Sequence, residues 1–271
     1  SMGGSQVFLE AGEKQTVDTM IKCIAVASAN DACVTMAEQI AGSEQAFVEK
    51  MNQRAAGLGM ENTHFVNCTG LDDDDSAKLH RTSAYDIALM SRELLKNHPD
   101  IKKYTTIWMD TVRNGAFGLS NTNKLIRFYP GATGLKTGYT AGAGYCLSAS
   151  AQKEGMELIA VIMKDATSAQ RLEDARQLLN YGFAAYTLAS ITPKEALPPV
   201  PVQLGMQATV QPVLGERSLL LEKTQAAELT QEVALSPLAE APVQKGDVLG
   251  SLTVRSGDVV VAELPLLAGE T

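Results

Sequence analysis

Apolar and polar positions follow a helical period over residues 13–41, with one interruption. Val17, Met20, Ile21, Ile24 and Ala25 keep the i, i+3, i+4 spacing of a helix with one buried face. Ser28-Ala29-Asn30-Asp31 then breaks the pattern with short polar side chains that prefer caps and turns. Helix resumes over residues 32–40 and stops at Gly42, and Ser43 caps another that runs through Phe47 and Met51 to Gly57. Residues 61–81 are polar and predict an exposed loop. Ser83, with Asp86 three residues on, opens a helix whose apolar face holds Ile87, Leu89, Met90, Leu94 and Leu95.

The second half changes period. Residues 134–140, 142–150 and 157–163 are β-prone, and Lys153-Glu154-Gly155 predicts a hairpin turn between the last two. Thr167 and Gln170 form a capping box for a helix running to about Ala189. Its wet side carries Arg171, Glu173, Asp174 and Arg176; its buried side carries Leu172, Ala175, Leu178 and Leu179. Pro193, Pro198, Pro199 and Pro201 then fall at a density no helix survives, so a linker is expected over residues 191–201. Beyond it, residues 202–271 hold short β-prone runs at 218–221, 247–254 and 259–264, separated by turns such as Lys245-Gly246-Asp247 and Ser256-Gly257-Asp258. The expected fold is therefore α/β in the α+β sense: helices packed on an antiparallel sheet over residues 1–190, then a small β-rich domain.

Composition narrows the function. The 271 residues are 45% hydrophobic and 20% charged, which suits a globular chain with a sizeable core. A net charge of −8, with Arg and Lys scattered, argues against nucleic acid or an anionic membrane surface as the main partner. No apolar run is long enough to span a bilayer. Cys23, Cys33, Cys68 and Cys146 show no CxxC pair and read as small buried hydrophobes; His64, His80 and His98 form no ligand pattern. The acids at residues 72–75 lack the alternation and glycine of a calcium loop. No metal site is expected.

Two segments carry chemistry. Gly134-Leu135-Lys136-Thr137-Gly138-Tyr139-Thr140 is β-prone and precedes the Gly-rich turn Ala141-Gly142-Ala143-Gly144. The edge of such a strand offers backbone donors and acceptors to an extended peptide. Lys136 adds positive charge, Thr137 a hydroxyl, and Gly138 an unobstructed approach. The Tyr139 N–H can supply half of an oxyanion hole. Ser28 and Asn30 present a hydroxyl for proton relay and a carboxamide that both donates and accepts. Each segment alone also reads as ordinary structure: a turn-to-strand junction and a helix-capping pair.

Taken in order, the two match the later parts of the set formed by a serine-lysine motif, Ser-Asp-Asn and Lys-Thr-Gly in β-lactamases and penicillin-binding proteins. Ser28-Ala29-Asn30-Asp31-Ala32-Cys33, His64-Phe65, Thr82-Ser83-Ala84-Tyr85-Asp86, Asn121-Thr122-Asn123-Lys124-Leu125 and Thr133-Gly134-Leu135-Lys136-Thr137-Gly138 resemble the low-molecular-mass D,D-carboxypeptidases, the family of penicillin-binding protein 5. Ala241-Pro242-Val243-Gln244-Lys245-Gly246 is similar to that family's small β-domain. The resemblance covers nearly the whole chain. It implies a transpeptidase-like fold and removal of the terminal D-alanine from peptidoglycan stem pentapeptides through a serine acyl-enzyme. It further implies inhibition by β-lactams, an extracytoplasmic location, and no metal or organic cofactor. By motif, Ser28 would assist proton transfer, Asn30 would orient the substrate, and Lys136 and Thr137 would face its carboxylate. Gly138, Tyr139 and Thr140 would complete the strand it lies along.

The family's first motif, Ser-x-x-Lys, places the lysine one helical turn from the nucleophilic serine. Here 27 residues precede Ser28, and they contain no such motif. The one match is Ser150-Ala151-Gln152-Lys153, which falls after Lys-Thr-Gly, at the expected hairpin. The opening Ser1-Met2-Gly3-Gly4-Ser5-Gln6 resembles the family's interior, so the expectation is an N-terminally truncated chain that is inactive alone. A non-catalytic peptidoglycan-binding homologue and a β-lactamase are the competing readings. Residues 265–271 are too few for the amphipathic anchor with which the family often ends, so membrane association would need other segments.

Overall fold

The computed structural model describes residues 3–73 and 75–269; Ser1, Met2 and Asp74, which entered the readings of the chain start and the acidic run, lie outside the described residues. By its internal packing the chain divides into two compact units, residues 1–182 and 183–271.

The first unit opens with three helices, α1 (Val17–Ala27), α2 (Asn30–Ala41) and α3 (Glu44–Gly57). Thr16 and Ser43 cap α1 and α3 with their hydroxyls, and α2 ends at Gly42, whose φ of 83° is the left-handed value glycine adopts freely. The loop after α3 is pinned rather than loose: the Asn62 N–H and Thr63 hydroxyl both donate to Asp86, which is buried in the first turn of α4 (Ala84–Asn97). Those donors, the Thr63 hydroxyl first, hold the Asp86 carboxyl below its ordinary range. A short α5 (Lys102–Thr105) leads to the hairpin β1 (Met109–Val112) and β2 (Phe117–Ser120), which shares a core with α1 and α2 built on Val7, Met20, Cys23, Val26, Val112 and Leu119.

After the one-turn α6 (Leu125–Phe128) comes the sheet that carries the expected motif. Strands β3 (Ala132–Thr140), β4 (Gly144–Lys153) and β5 (Met156–Asp165) are antiparallel in the order β3-β4-β5. The turn joining β4 and β5 falls at Glu154 and Gly155, with φ values of 51° and 80°, the double left-handed geometry of a two-residue hairpin. Helix α4 packs on β4 and β5, where Ser91 and Ser148 share a buried hydrogen bond of 2.7 Å.

Helix α7 (Ser168–Ala185) ends four residues sooner than its pattern predicts. Residues at its expected end form β6 (Tyr186–Ser190), because Tyr186, Thr187 and Leu188 favour a strand and find a partner. That partner lies beyond β7 (Val200–Gln203), β8 (Thr209–Val210) and β9 (Pro212–Leu214): it is β10 (Ser218–Glu222), paired antiparallel with β6. After α8 (Lys223–Ala226) follow β11 (Leu229–Leu235), β12 (Ala239–Glu240), β13 (Val248–Ser256) and β14 (Val259–Ala268). The second unit's main sheet runs β11-β13-β14-β9 over Ile191, Leu214, Leu252, Val254, Leu264 and Leu266. The mixed helix-and-sheet fold with a β-rich C-terminal part is as the residue pattern predicts.

Candidate active site

The break between α1 and α2 is two residues long. Ser28 closes α1 in the left-handed region (φ 59°, ψ 39°), its N–H bonded back to Cys23 and Ile24. A side chain at that φ costs about 1–2 kcal/mol, offset here by the cap hydrogen bonds. Ala29 is fully buried and Asn30 is the first residue of α2, so the turn cannot move without disturbing the core. Asp31 also fixes the segment before α1, accepting from the N–H groups of Val7 and Leu9.

Across the gap lies β3, which pairs with β4 on one side only. Its Lys136 ammonium donates to the Ser28 hydroxyl at 2.7 Å and to the Thr137 carbonyl at 2.6 Å, so residues 108 apart in sequence meet. Those bonds engage two of the ammonium's three protons. Burial pushes the Lys136 pKa down from its ordinary value to about 8, with the nearby Arg171 charge adding to the effect. The strand is anchored at its start by a buried amide lattice: Asn123 donates to the Gly134 carbonyl at 2.9 Å, and Asn121 donates to the carbonyls of Thr105 and Ile107.

The remaining predicted residues fall into place unequally. Asn30 lies two residues after Ser28, but it is buried and its amide donates to the Gly3 carbonyl at 3.0 Å. Thr137 donates to the Thr122 hydroxyl at 2.7 Å. Thr140 serves the turn, accepting from the Ala143 N–H. Tyr139 is largely exposed and its ring lies 4.3 Å from that of Tyr145 on β4. A Cβ added to Gly138 would meet only Cys146 Cβ, at 4.0 Å, and Gly138 is not among the positive-φ residues. Neither backbone nor packing requires glycine there. Beyond Thr140 an open pocket of about 870 Å3 is lined by Leu71, Asp72, His80 and Gly142 among others.

Several readings need correction. Arg171, expected on the wet side of its helix, is buried, and its guanidinium reaches the carbonyls of Gly138 and Cys146, both at 3.3 Å. Helical periodicity cannot reveal this, since the motif strand that receives it lies 33 residues away. Leu178, expected inside, is half exposed. Of the four cysteines, all free thiols, only Cys23 is buried. Ser150, the serine of the single Ser-x-x-Lys match, is fully buried and bonded to Thr133 at 2.7 Å, which excludes it as an accessible nucleophile. Among the described residues no group of three or more His, Cys, Asp or Glu could hold a metal, and no helix is long and apolar enough to cross a membrane.

The model of the D-alanyl-D-alanine carboxypeptidase family matches residues 1–167, and that of the penicillin-binding protein 5 C-terminal domain matches residues 189–271. The chain belongs to the D-alanyl-D-alanine carboxypeptidase family. It is 42% identical to the carboxypeptidase DacF of Bacillus subtilis over all of this chain and 70% of that protein. It is 32% identical to DacC of Escherichia coli over 99% of this chain and 66% of that protein. Penicillin-binding protein 5 of Haemophilus influenzae superposes with a TM-score of 0.81 at 28% identity, covering 98% of this chain and 77% of that one. Penicillin-binding protein D2 of Listeria monocytogenes, solved in its ampicillin-bound form, superposes with a TM-score of 0.61 at 31% identity, covering 68% of this chain and 74% of that one. The likeness to penicillin-binding protein 5 spans both units of the chain.

Proposed function

We propose that the Ser28 turn and the free edge of β3 together hold the carboxy end of a peptidoglycan stem peptide, terminating in D-Ala-D-Ala, for hydrolysis through a serine acyl-enzyme. The observation that carries this reading is the 2.7 Å bond between the Lys136 ammonium and the Ser28 hydroxyl beside a strand edge with room for another strand. A buried cation bonded to a hydroxyl makes a carboxylate receptor that can also pass a proton. Lys136 and the Thr137 hydroxyl take the terminal carboxylate; the carboxylate replaces Thr122 as the partner of Thr137. Asn30 orients the peptide through the carboxamide oxygen that its bond to Gly3 leaves free. The Tyr139 N–H polarises the scissile carbonyl. The bare Gly138 lets the peptide approach β3, which explains a glycine that the fold does not need. The pocket past Thr140 accommodates the rest of the stem.

Ser150 being buried, the nucleophile of this reaction is a different serine. β-Lactams, mimics of the same peptide end, occupy the same edge. Peptidoglycan lies outside the membrane, so the activity is extracytoplasmic.

The test is a titration of the 15N-labelled chain with an N-acylated peptide ending in D-Ala-D-Ala, and with the same peptide as its C-terminal amide. The acid should shift the amides of Ser28, Asn30 and residues 136–140, and the amide-capped peptide should not. Shifts scattered elsewhere, or equal for both peptides, overturn the reading.

A further inference from the structure

A peptide group has two ends. In a trans peptide the carbonyl of one residue and the N–H of the next point in opposite directions. The N–H proposed as an oxyanion donor, that of Tyr139, belongs to the peptide whose carbonyl is Gly138 O. That carbonyl is held: the buried Arg171 guanidinium donates to Gly138 O at 3.3 Å and to Cys146 O at 3.3 Å. Gly138 and Cys146 face each other in the β3–β4 register. Arg171 therefore bridges the motif strand and its neighbour at one rung. The Gly138 carbonyl points inward to the cation and to β4, which turns the Tyr139 N–H outward to the unpaired edge.

Three further features fit a fixed cation. Arg171 is only 6% exposed, and its Nε is buried with no partner among the described residues, so the side chain is held at its Nη end. Its guanidinium carbon lies 5.5 Å from the centre of the Tyr145 ring, within range of a cation–π contact. Tyr145 in turn lies 4.3 Å from Tyr139, the residue that owns the N–H. One cation thus braces the Gly138–Tyr139 peptide through its carbonyl and through a ring pair.

We infer that Arg171 is a positioning residue of the carboxypeptidase site, which aims and polarises the Gly138–Tyr139 peptide so that the Tyr139 N–H is a directed, strengthened donor at the free edge of β3. A charge-assisted bond to a carbonyl pulls electron density from the whole peptide and makes its N–H more acidic as a donor. The guanidinium stays behind the strand and does not touch the ligand. The inference deepens the proposed site and rests on it only for the ligand that the N–H meets.

The experiment compares 15N-labelled wild-type chain with Arg171→Gln and Arg171→Lys. In the ligand-free spectra, Arg171→Gln should move the Tyr139 amide nitrogen upfield and slow its base-catalysed hydrogen exchange, with Arg171→Lys in between. In the titration with the D-Ala-D-Ala peptide, the downfield shift of the Tyr139 amide proton should shrink in Arg171→Gln. The Kd should rise about threefold to tenfold, the effect of weakening one neutral hydrogen bond. A merely structural role would move amides across the β3–β4 pair alike and leave the ligand-induced shift at Tyr139 unchanged. That result overturns the inference. So does an unchanged ligand-free Tyr139 signal in Arg171→Gln alongside weaker binding, which would mean that Arg171 grips the carboxylate itself. If wild type ignores the peptide, the proposed site fails, while the ligand-free Tyr139 shifts still decide the part played by Arg171. If both variants unfold, the wild-type guanidinium decides: slowly exchanging, separately resolved Nη–H signals support the bridge, and one averaged, fast-exchanging signal overturns it.

Discussion

Strands β3 and β13 are both nine residues long and both contain interior glycine, yet they are built for different ends. Strand β13 is paired on both sides, by β11 and β14, and buries Leu252 and Val254 completely. Its Gly250 is demanded by packing, since an added Cβ would fall 2.2 Å from the Ala234 carbonyl oxygen. Strand β3 is paired on one side, keeps a lysine in a desolvated position, and places Gly138 where nothing crowds it. One strand spends its residues on stability. The other, in the proposed site, presents its cation and its unpaired edge to a ligand. Where a glycine or a cation has no structural reason to exist, its reason lies outside the fold.

The comparison breaks first at β13. Leu252→Ala should cost about 2–5 kcal/mol of the second unit's stability, as for other fully buried leucines, read as a fall in its urea midpoint. Gly250→Ala should follow at about 1–3 kcal/mol, because backbone rather than a pliable side chain stands in the way. On β3 the effects move from stability to binding. Lys136→Met should weaken the D-Ala-D-Ala peptide at least about tenfold, the scale of one charged hydrogen bond, while unfolding measurements show no loss, since a buried charge has been removed. Gly138→Ala should change stability by less than about 1 kcal/mol in either direction, yet impair binding of the peptide.

The pH dependence is the most specific effect. Lys136 titrates at about 8 in the folded chain and near 10.5 when unfolded. Between those values the unfolded state binds more protons, so the strain of burying the charge is relieved and stability rises with pH. Affinity for the peptide carboxylate should do the opposite, falling as pH climbs through about 8. Lys136→Met should flatten both profiles.

Local chemistry made much of this legible. The caps at Ser43 and Ser83, the stop at Gly42, the Glu154-Gly155 turn and the β-prone Lys136 strand depend on neighbours within a few residues, and the sequence pattern shows them directly. Ser28 and Lys136 could be singled out because short polar side chains between two apolar runs, and a lysine on a strand, are conspicuous. Their meeting could not be read, since it depends on how the helices dock on the sheet. The place of Arg171 is hidden for the same reason: its helix periodicity is that of an exposed cation, and the carbonyls it meets belong to distant strands. Asn121 and Asn123 belong to a segment that resembles the family, but their work as amide braces for β3 appears only in three dimensions. Helix α7 ended early because its last expected turn had a better partner in β10.

The most direct test is a double-mutant cycle on peptide binding, with Ser28→Ala, Lys136→Met and the pair together. If the Ser28 hydroxyl and the Lys136 ammonium act as one receptor, the double variant should lose little more affinity than Lys136→Met alone. Losses that simply add, or no loss in either single variant, would contradict a shared site.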